Sequence, residues 1–321
     1  MILVTGGAGY IGSHTCKILS SCGHESVVID NLSTGHKSAV KWSPLVIGDI
    51  ADETLVKSII NQYQIDAVIH FAANAYVSES IWNPRKYYEN NVLASINLLH
   101  AIVDSGVKHF VFSSSCATYG IPQEIPITES QLCQPINPYG ESKLVIEKAL
   151  KWYGEAYGFN WIALRYFNAS GAEPSNEIGE NHIPETHLIP LAIFTALGKQ
   201  PFFNIYGNTY PTKDGTAIRD YIHVLDLAMA HVLAVDYLLQ GNESKILNLG
   251  IGEGYSVYDV IKATEEVSNR TIKTKIVNRR EGDPPVLIAS PDQAKECLNW
   301  SPQFNNLQSI IETAWNWHLR H

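Results

Sequence analysis

The sequence predicts an α/β fold: a doubly wound parallel (Rossmann) sheet with a smaller irregular α/β substrate domain. Three observations predict it. Short apolar runs alternate with helical patterns through the first half, the first run opens into a glycine-rich turn, and the alternation breaks after about Asn168. Apolar runs without alternation are the signature of strands buried on both faces, as helices on either side of a parallel sheet require.

Residues 1–4 form the first run, which ends in Thr5-Gly6-Gly7-Ala8-Gly9-Tyr10-Ile11-Gly12. A helical pattern covers residues 10–21. Gly7-x-Gly9-x-x-Gly12 fits one dinucleotide spacing, and Gly6-x-x-Gly9-x-x-Gly12 fits the other. Glycines there let the backbone turn tightly and approach a pyrophosphate, and the helix N-terminus offers free N–H groups to phosphate. Val27-Val28-Ile29 is the second strand and ends in Asp30, where a ribose-binding acid belongs. A carboxylate there accepts from a 2′-hydroxyl and repels a 2′-phosphate, which favours NAD over NADP.

Leu45-Val46-Ile47 then runs into Gly48-Asp49, and a helical pattern covers residues 52–63. Residues 67–71 form another buried strand, and one long helix is expected over 84–105. Phe110-Val111-Phe112 is a strand that closes on Ser113-Ser114-Ser115. A helix follows over 138–157, opened by Pro138, and residues 161–164 make the next strand. Past Asn168, Pro, Gly and Asn become frequent, with one clear helix over 187–197. Residues 246–250 again read as a strand. The expected division is a cofactor domain over 1–168, with 219–250 returning to it, and a substrate domain over 169–218 and 251–321.

The 321 residues carry a formal net charge of −9 and no basic run. A nucleic-acid or anionic-membrane partner is therefore not expected. No apolar stretch reaches spanning length. The first strand begins at residue 1, so a signal peptide is not expected either, and a cytoplasmic setting is. Cys16, Cys22, Cys116, Cys133 and Cys297 are odd in number and form no C-x-x-C, which fits reduced thiols and no zinc site. The histidines show no H-E-x-x-H; His70 and His223 sit in apolar runs and read as structural, so no metal is expected.

Tyr139 and Lys143 stand four apart, on one face of a helix. A nearby ammonium and a positively charged nicotinamide ring both favour the phenolate over a phenol that otherwise titrates near 10. Tyr258 and Lys262 repeat the Y-x-x-x-K spacing with no serine-bearing strand ahead of them, so that copy reads as surface packing. The Tyr139 copy follows a strand whose serines reach the same sheet edge, where a serine can relay a proton.

With these motifs the chain resembles the extended short-chain dehydrogenase/reductases and, among them, the UDP-glucose 4-epimerases. The likeness extends to residues 68–73, Tyr87-Tyr88-Glu89-Asn90-Asn91, Leu164-Arg165-Tyr166-Phe167-Asn168, Asp214-Gly215-Thr216, residues 219–224 and Arg279-Arg280-Glu281-Gly282-Asp283. The resemblance implies an NAD-dependent isomerase acting on a UDP-sugar through a 4-keto intermediate. It implies catalytic roles for Ser115, Tyr139 and Lys143. It places Gly6, Gly9, Tyr10, Ile11 and Gly12 at the NAD pyrophosphate, Asp30, Asn31, Leu32 and Ser33 at the adenosine ribose, and Asp49 and Ile50 at the adenine. Phe71, Ala72, Ala73, Asn90, Ser113 and Phe167 would line the cofactor's other half. Asn168, His187, Leu188, Asn204, Tyr206, Arg219, Arg280, Asp283 and Leu287 would hold the UDP-sugar. It also implies a homodimer, built through the helices over 84–105 and 138–157.

Some positions depart from the family pattern, and they leave the tightness of NAD binding and the preferred sugar open. Ala75 stands where a cofactor-binding lysine is common and Ser78 where glycine is usual. Leu287 leaves N-acetylhexosamines undecided, and residues 115–120 with 136–139 also resemble UDP-pentose epimerases, so UDP-xylose/UDP-arabinose exchange is an alternative. Cys116 and Ala117 follow Ser115 where a sugar dehydratase needs acids, which argues against dehydration. A catalytically silent NAD-binding regulator is the alternative of another class.

Overall fold

The computed structural model describes residues 1–280 and 283–321. Glu281 and Gly282 of the 279–283 motif lie outside the described residues. Seven strands make one sheet: β1 (Ile2–Thr5), β2 (Ser26–Asp30), β3 (Leu45–Ile47), β4 (Ala67–His70), β5 (His109–Ser115), β6 (Asn160–Tyr166) and β7 (Lys245–Leu249). Their order is β7-β6-β5-β4-β1-β2-β3 and every pairing is parallel. The order reverses between β1 and β4, which opens a crevice at their C-terminal ends. Thr5 and His70 face each other across that point.

The two faces of the sheet carry separate cores. Val4, Ile69, Val111 and Leu164 pack on one face with Leu227 and Val235, while Leu3, Val68, Phe110 and Phe112 pack on the other with Leu98 and Leu150. This is the period of two along each strand. A third cluster joins Ile193, Ile205, Ile261, Ile310 and Trp315, from the helices Leu188–Ala196, Val257–Ser268 and Leu307–Arg320 and the strand Phe203–Tyr206.

The expected helix over 84–105 is not one regular helix. A short turn, Pro84–Tyr87, leads into a π-helical turn, Tyr88–Leu93, before the α-helix Ala94–Asp104. The wider turn carries Asn91 inward. Its amide clasps both backbone groups of Asn74, accepting from the N–H at 2.8 Å and donating to the carbonyl at 2.9 Å. Asparagine competes with the helical ladder in this way, and π turns gather at functional sites.

Candidate active site

The turn after β1 has the shape that its glycines require. Gly6 takes φ +72°, and a Cβ on it would stand 2.6 Å from the Ala72 nitrogen. A Cβ on Gly12 would stand 2.3 Å from the Gly6 carbonyl oxygen. The helix Tyr10–Ser21 then begins with Gly9 at its N-cap and no capping side chain. Its first N–H groups are left free for an anion. Gly12→Ala is expected to weaken NAD binding roughly ten- to hundredfold, because a Cβ forces the turn apart at a cost of about 1–3 kcal/mol. Calorimetric titration of NAD into stripped protein checks it.

Asp30 is buried at the end of β2. One carboxylate oxygen accepts from Ala8 N–H at 2.9 Å and the other from Leu32 N–H at 2.8 Å. Leu32 holds φ +57°, and Asn31 donates to Asp49 at 3.0 Å. The predicted ribose and adenine residues are thus neighbours. Tyr10 points the other way: its hydroxyl donates to the Gly171 carbonyl at 2.6 Å, which leaves its backbone for a phosphate.

Tyr139 and Lys143 lie in the first two turns of the helix Pro138–Tyr157, which starts where the Asn137 side chain caps Gly140 N–H at 2.8 Å. Both side chains are buried. The Lys143 ammonium donates to the Ser113 carbonyl at 2.8 Å and lies 5.0 Å from the Phe112 ring and 5.9 Å from the Tyr139 ring. Burial lowers Lys143 from 10.5 to about 7, with the Glu147 carboxylate pulling the other way. Burial raises the Tyr139 phenol above its ordinary 10, Tyr166 adds to that, and the Ser115 hydroxyl opposes it. Cys116, next in line, is held protonated by burial, which pushes it up to about 12. The second Y-x-x-x-K copy is different: Tyr258 is on the surface and Lys262 faces Glu266 at 3.9 Å, with 78% of its side chain exposed.

One helical turn past Lys143, Glu147 forms a buried ion pair with Arg165 of β6, Nε to Oε1 at 2.9 Å, and also accepts from Ser114. It anchors the helix Pro138–Tyr157 to β5 and β6. Glu147→Ala is expected to cost about 3–5 kcal/mol in denaturant unfolding, since it strands a buried guanidinium. Adding Arg165→Met to Glu147→Leu should recover most of that loss.

The predicted substrate residues gather beyond Ser115. Phe167 and Leu287 pack with Tyr119, Ile127 and Cys116. Leu287 pairs in register with Arg219, whose guanidinium meets Asp283 at 2.5 Å. Arg280 lies over the Tyr206 ring at 4.2 Å, and Asn204 and Tyr206 share the exposed face of their strand. Asn168 donates to the Asp220 carbonyl at 2.9 Å. Two neighbours were not anticipated. Arg279 covers the Tyr210 ring at 3.9 Å, and the Tyr210 hydroxyl donates to Asp283 at 3.1 Å. The 279–283 motif hinted at Arg279; nothing local marked Tyr210.

His187 and Leu188 stand at the start of the helix Leu188–Ala196, and His187 Nδ1 is engaged by Glu180 at 2.5 Å. Asn90 faces its neighbour, donating to Asn91 at 3.0 Å, while Phe71 packs on His231 and Ala75 and Ser78 are both exposed. His70 and His223 are buried and hydrogen-bonded, to Thr5 and Ser95 and to Thr313 respectively. All five cysteines are free thiols. Among the described residues no helix is long and apolar enough to cross a membrane.

Comparison with known proteins shows the family and the fold. The profile of the NAD dependent epimerase/dehydratase family matches residues 2–250. The chain is 51% identical to a UDP-glucose 4-epimerase of Rhizobium meliloti, over 99% of this chain and 97% of that protein. It is 50% identical to a UDP-glucose 4-epimerase of Halalkalibacterium halodurans, over 100% and 96%. The crystal structure of the UDP-glucose 4-epimerase from Brucella ovis in complex with NAD superimposes with a TM-score of 0.96 at 49% identity, covering 98% of this chain and 97% of that one.

Proposed function

This chain belongs to the NAD dependent epimerase/dehydratase family, and we propose that Tyr139, Ser115 and Lys143 carry out the 4-epimerisation of a UDP-hexose, UDP-galactose to UDP-glucose and back. The buried Tyr139–Lys143 pair beside the serine end of β5 is the observation that carries this reading. The Gly6–Gly9–Gly12 turn, the uncapped helix and Asp30 fit a dinucleotide without a 2′-phosphate. NAD, when bound, accepts and returns the hydride and brings a positive ring that favours the phenolate.

Tyr139 takes the proton of the sugar 4-hydroxyl, with Ser115 as its relay. Lys143 holds the phenolate through its charge. The 4-keto sugar turns over, and Tyr139 returns the proton after the hydride comes back to the other face. Arg219, Arg280, Asn204 and Tyr206 hold the uridine diphosphate, with charge-assisted bonds from the guanidinium groups. Residues 1–168 and 219–250 serve the cofactor, and 169–218 and 251–321 serve the sugar nucleotide. A second copy covers the exposed Leu93, at the end of the turn Tyr88–Leu93 that leads into the helix Ala94–Asp104, and the exposed Trp152 of the helix Pro138–Tyr157.

The test is incubation with UDP-galactose, UDP-N-acetylgalactosamine and UDP-arabinose separately, with no NAD added. Conversion of UDP-galactose to UDP-glucose is expected, with slower turnover of the others. No conversion of any, even with NAD supplied, overturns the reading. Light scattering tests the dimer.

A further inference from the structure

The segment from Glu177 to His187 crosses the dinucleotide turn like a strap. Lys41 donates to the Glu177 carbonyl at 2.8 Å, His36 Nε2 meets the Asn181 carbonyl at 2.8 Å, and the Tyr76 hydroxyl donates to the Pro184 carbonyl at 3.2 Å. Trp317 holds the other side, donating to the Glu180 carbonyl at 2.9 Å. Within the strap, Glu180, His182, Glu185 and His187 turn toward one another, with one ligand atom from each lying within 4.8 Å of the rest.

Three of the four separations are near those of a coordination shell, and the fourth, a hydrogen-bond contact, opens when an ion takes the place of the proton. His182 Nδ1 lies 3.2 Å from Glu180 Oε1 and 3.7 Å from Glu185 Oε2. His187 Nδ1 lies 2.5 Å from Glu180 Oε1 and 3.4 Å from Glu185 Oε1. Ligands about 2.0–2.1 Å from a tetrahedral zinc ion stand roughly 3.3 Å apart. A second observation points the same way. The Glu185 side chain is 4% exposed, yet its Oε2 has no hydrogen-bond donor, and His182 Nδ1 is likewise buried without a hydrogen bond. Glu185 Oε1 is meanwhile fixed by the N–H groups of Thr186 and His187 at 2.7 and 2.8 Å, which aims Oε2 into the cluster. A buried carboxylate oxygen left unpaired is costly, whereas a metal ligand held by an outer hydrogen bond is the usual arrangement.

We propose that Glu180, His182, Glu185 and His187 bind a divalent transition-metal ion of the zinc class. Four protein ligands leave no open position, which marks a structural site rather than a catalytic one. The ion clasps the strap over the start of the helix Tyr10–Ser21: the His182 ring lies edge-on to Tyr10 at 6.1 Å and to Tyr76 at 6.2 Å. The rival arrangement is metal-free, with both imidazoles protonated and ion-paired to the two carboxylates.

Full-length protein is dialysed against a chelator, then titrated with Zn²⁺ against a chromogenic competitor and separately with Co²⁺ under visible absorption. One equivalent of Zn²⁺ per chain and the intense bands of four-coordinate Co²⁺ are expected. Glu185→Gln and, separately, His182→Asn should each weaken Zn²⁺ binding roughly 100-fold or more, with the far-ultraviolet dichroism kept. Should one variant fail to fold, the other and the Co²⁺ spectrum still decide. Less than about 0.1 equivalent bound by folded wild type, a six-coordinate Co²⁺ spectrum, or unchanged affinity in a folded variant overturns the site and leaves the ion pairs. Binding is read without turnover, so its failure and that of the epimerase reading are separate results.

Discussion

Tyr139→Phe is expected to lower kcat for UDP-galactose by roughly 10²–10⁴-fold while leaving fold and NAD content intact, the range a positioned acid–base contributes. The substitution removes one oxygen. The ring keeps its edge-on contact with Tyr87 at 6.4 Å, and the Lys143 bond to the Ser113 carbonyl does not involve the phenol. KM should change little, because the lost interaction belongs to proton transfer rather than to the nucleotide. Tyr258→Phe is the matched control, with the same spacing on the exposed face of its helix, and should leave turnover unchanged. Rates come from chromatography of the sugar nucleotides, and cofactor content from absorbance after denaturation. A Tyr139→Phe enzyme retaining more than about a tenth of wild-type turnover would remove Tyr139 from the proposed role; a cellular function that survived complete loss of turnover would favour the regulator reading.

The parts of this molecule that were legible in advance are those where one local pattern has one physical cause. The runs at β1, β2, β5 and β6 are buried on both faces, so their apolar character is continuous and their positions follow from it. The Gly6–Gly12 turn was legible because a Cβ at either end collides with backbone. Lys143 was legible through its distance from Tyr139 along one helix. The π turn at Tyr88–Leu93 was not, because it arises from Asn91 reaching Asn74, a contact that neither residue announces. Tyr210 escaped for the same reason: its partners Asp283 and Arg279 arrive from far along the chain. The Glu180–His187 cluster follows no common metal spacing, and its meaning comes from the way the strap folds back on itself.

Lowering the pH from 7 to 5 is expected to remove about 5 kcal/mol of folding stability from the metal-free, NAD-free protein. Four buried histidines are the main cause. Burial lowers His14 and His231 from 6.5 to about 4, and His70 and His223 to about 3. Each is held neutral by its surroundings. His70 lies between Thr5 and Ser95, and His14 and His231 each bond one backbone carbonyl with the second ring nitrogen buried and unpartnered. His223 Nδ1 accepts from Leu225 N–H at 3.1 Å, a bond that protonation would break. The unfolded chain binds these protons below 6.5 and the folded chain does not, so the stability is whole above 6.5 and is lost as the pH falls toward 4. At pH 5 this amounts to about 2 kcal/mol for each histidine. Among the groups that oppose it, three carry large shifts. Asp220 is raised by burial to about 6, and His182 and His187 are raised to about 9 and about 10 by the carboxylates of Glu180 and Glu185 against the cost of burial. The folded state takes up or keeps protons at these sites, which returns about 1 kcal/mol apiece over the same interval. A net loss of ~5 kcal/mol is comparable to the whole stability of many domains, so unfolding should set in near pH 5. Urea titrations at pH 7, 6 and 5 read the loss directly, and His231→Leu should move the acid transition downward. A stability that stays flat between pH 7 and 5 would mean that the four imidazoles accept protons inside the fold.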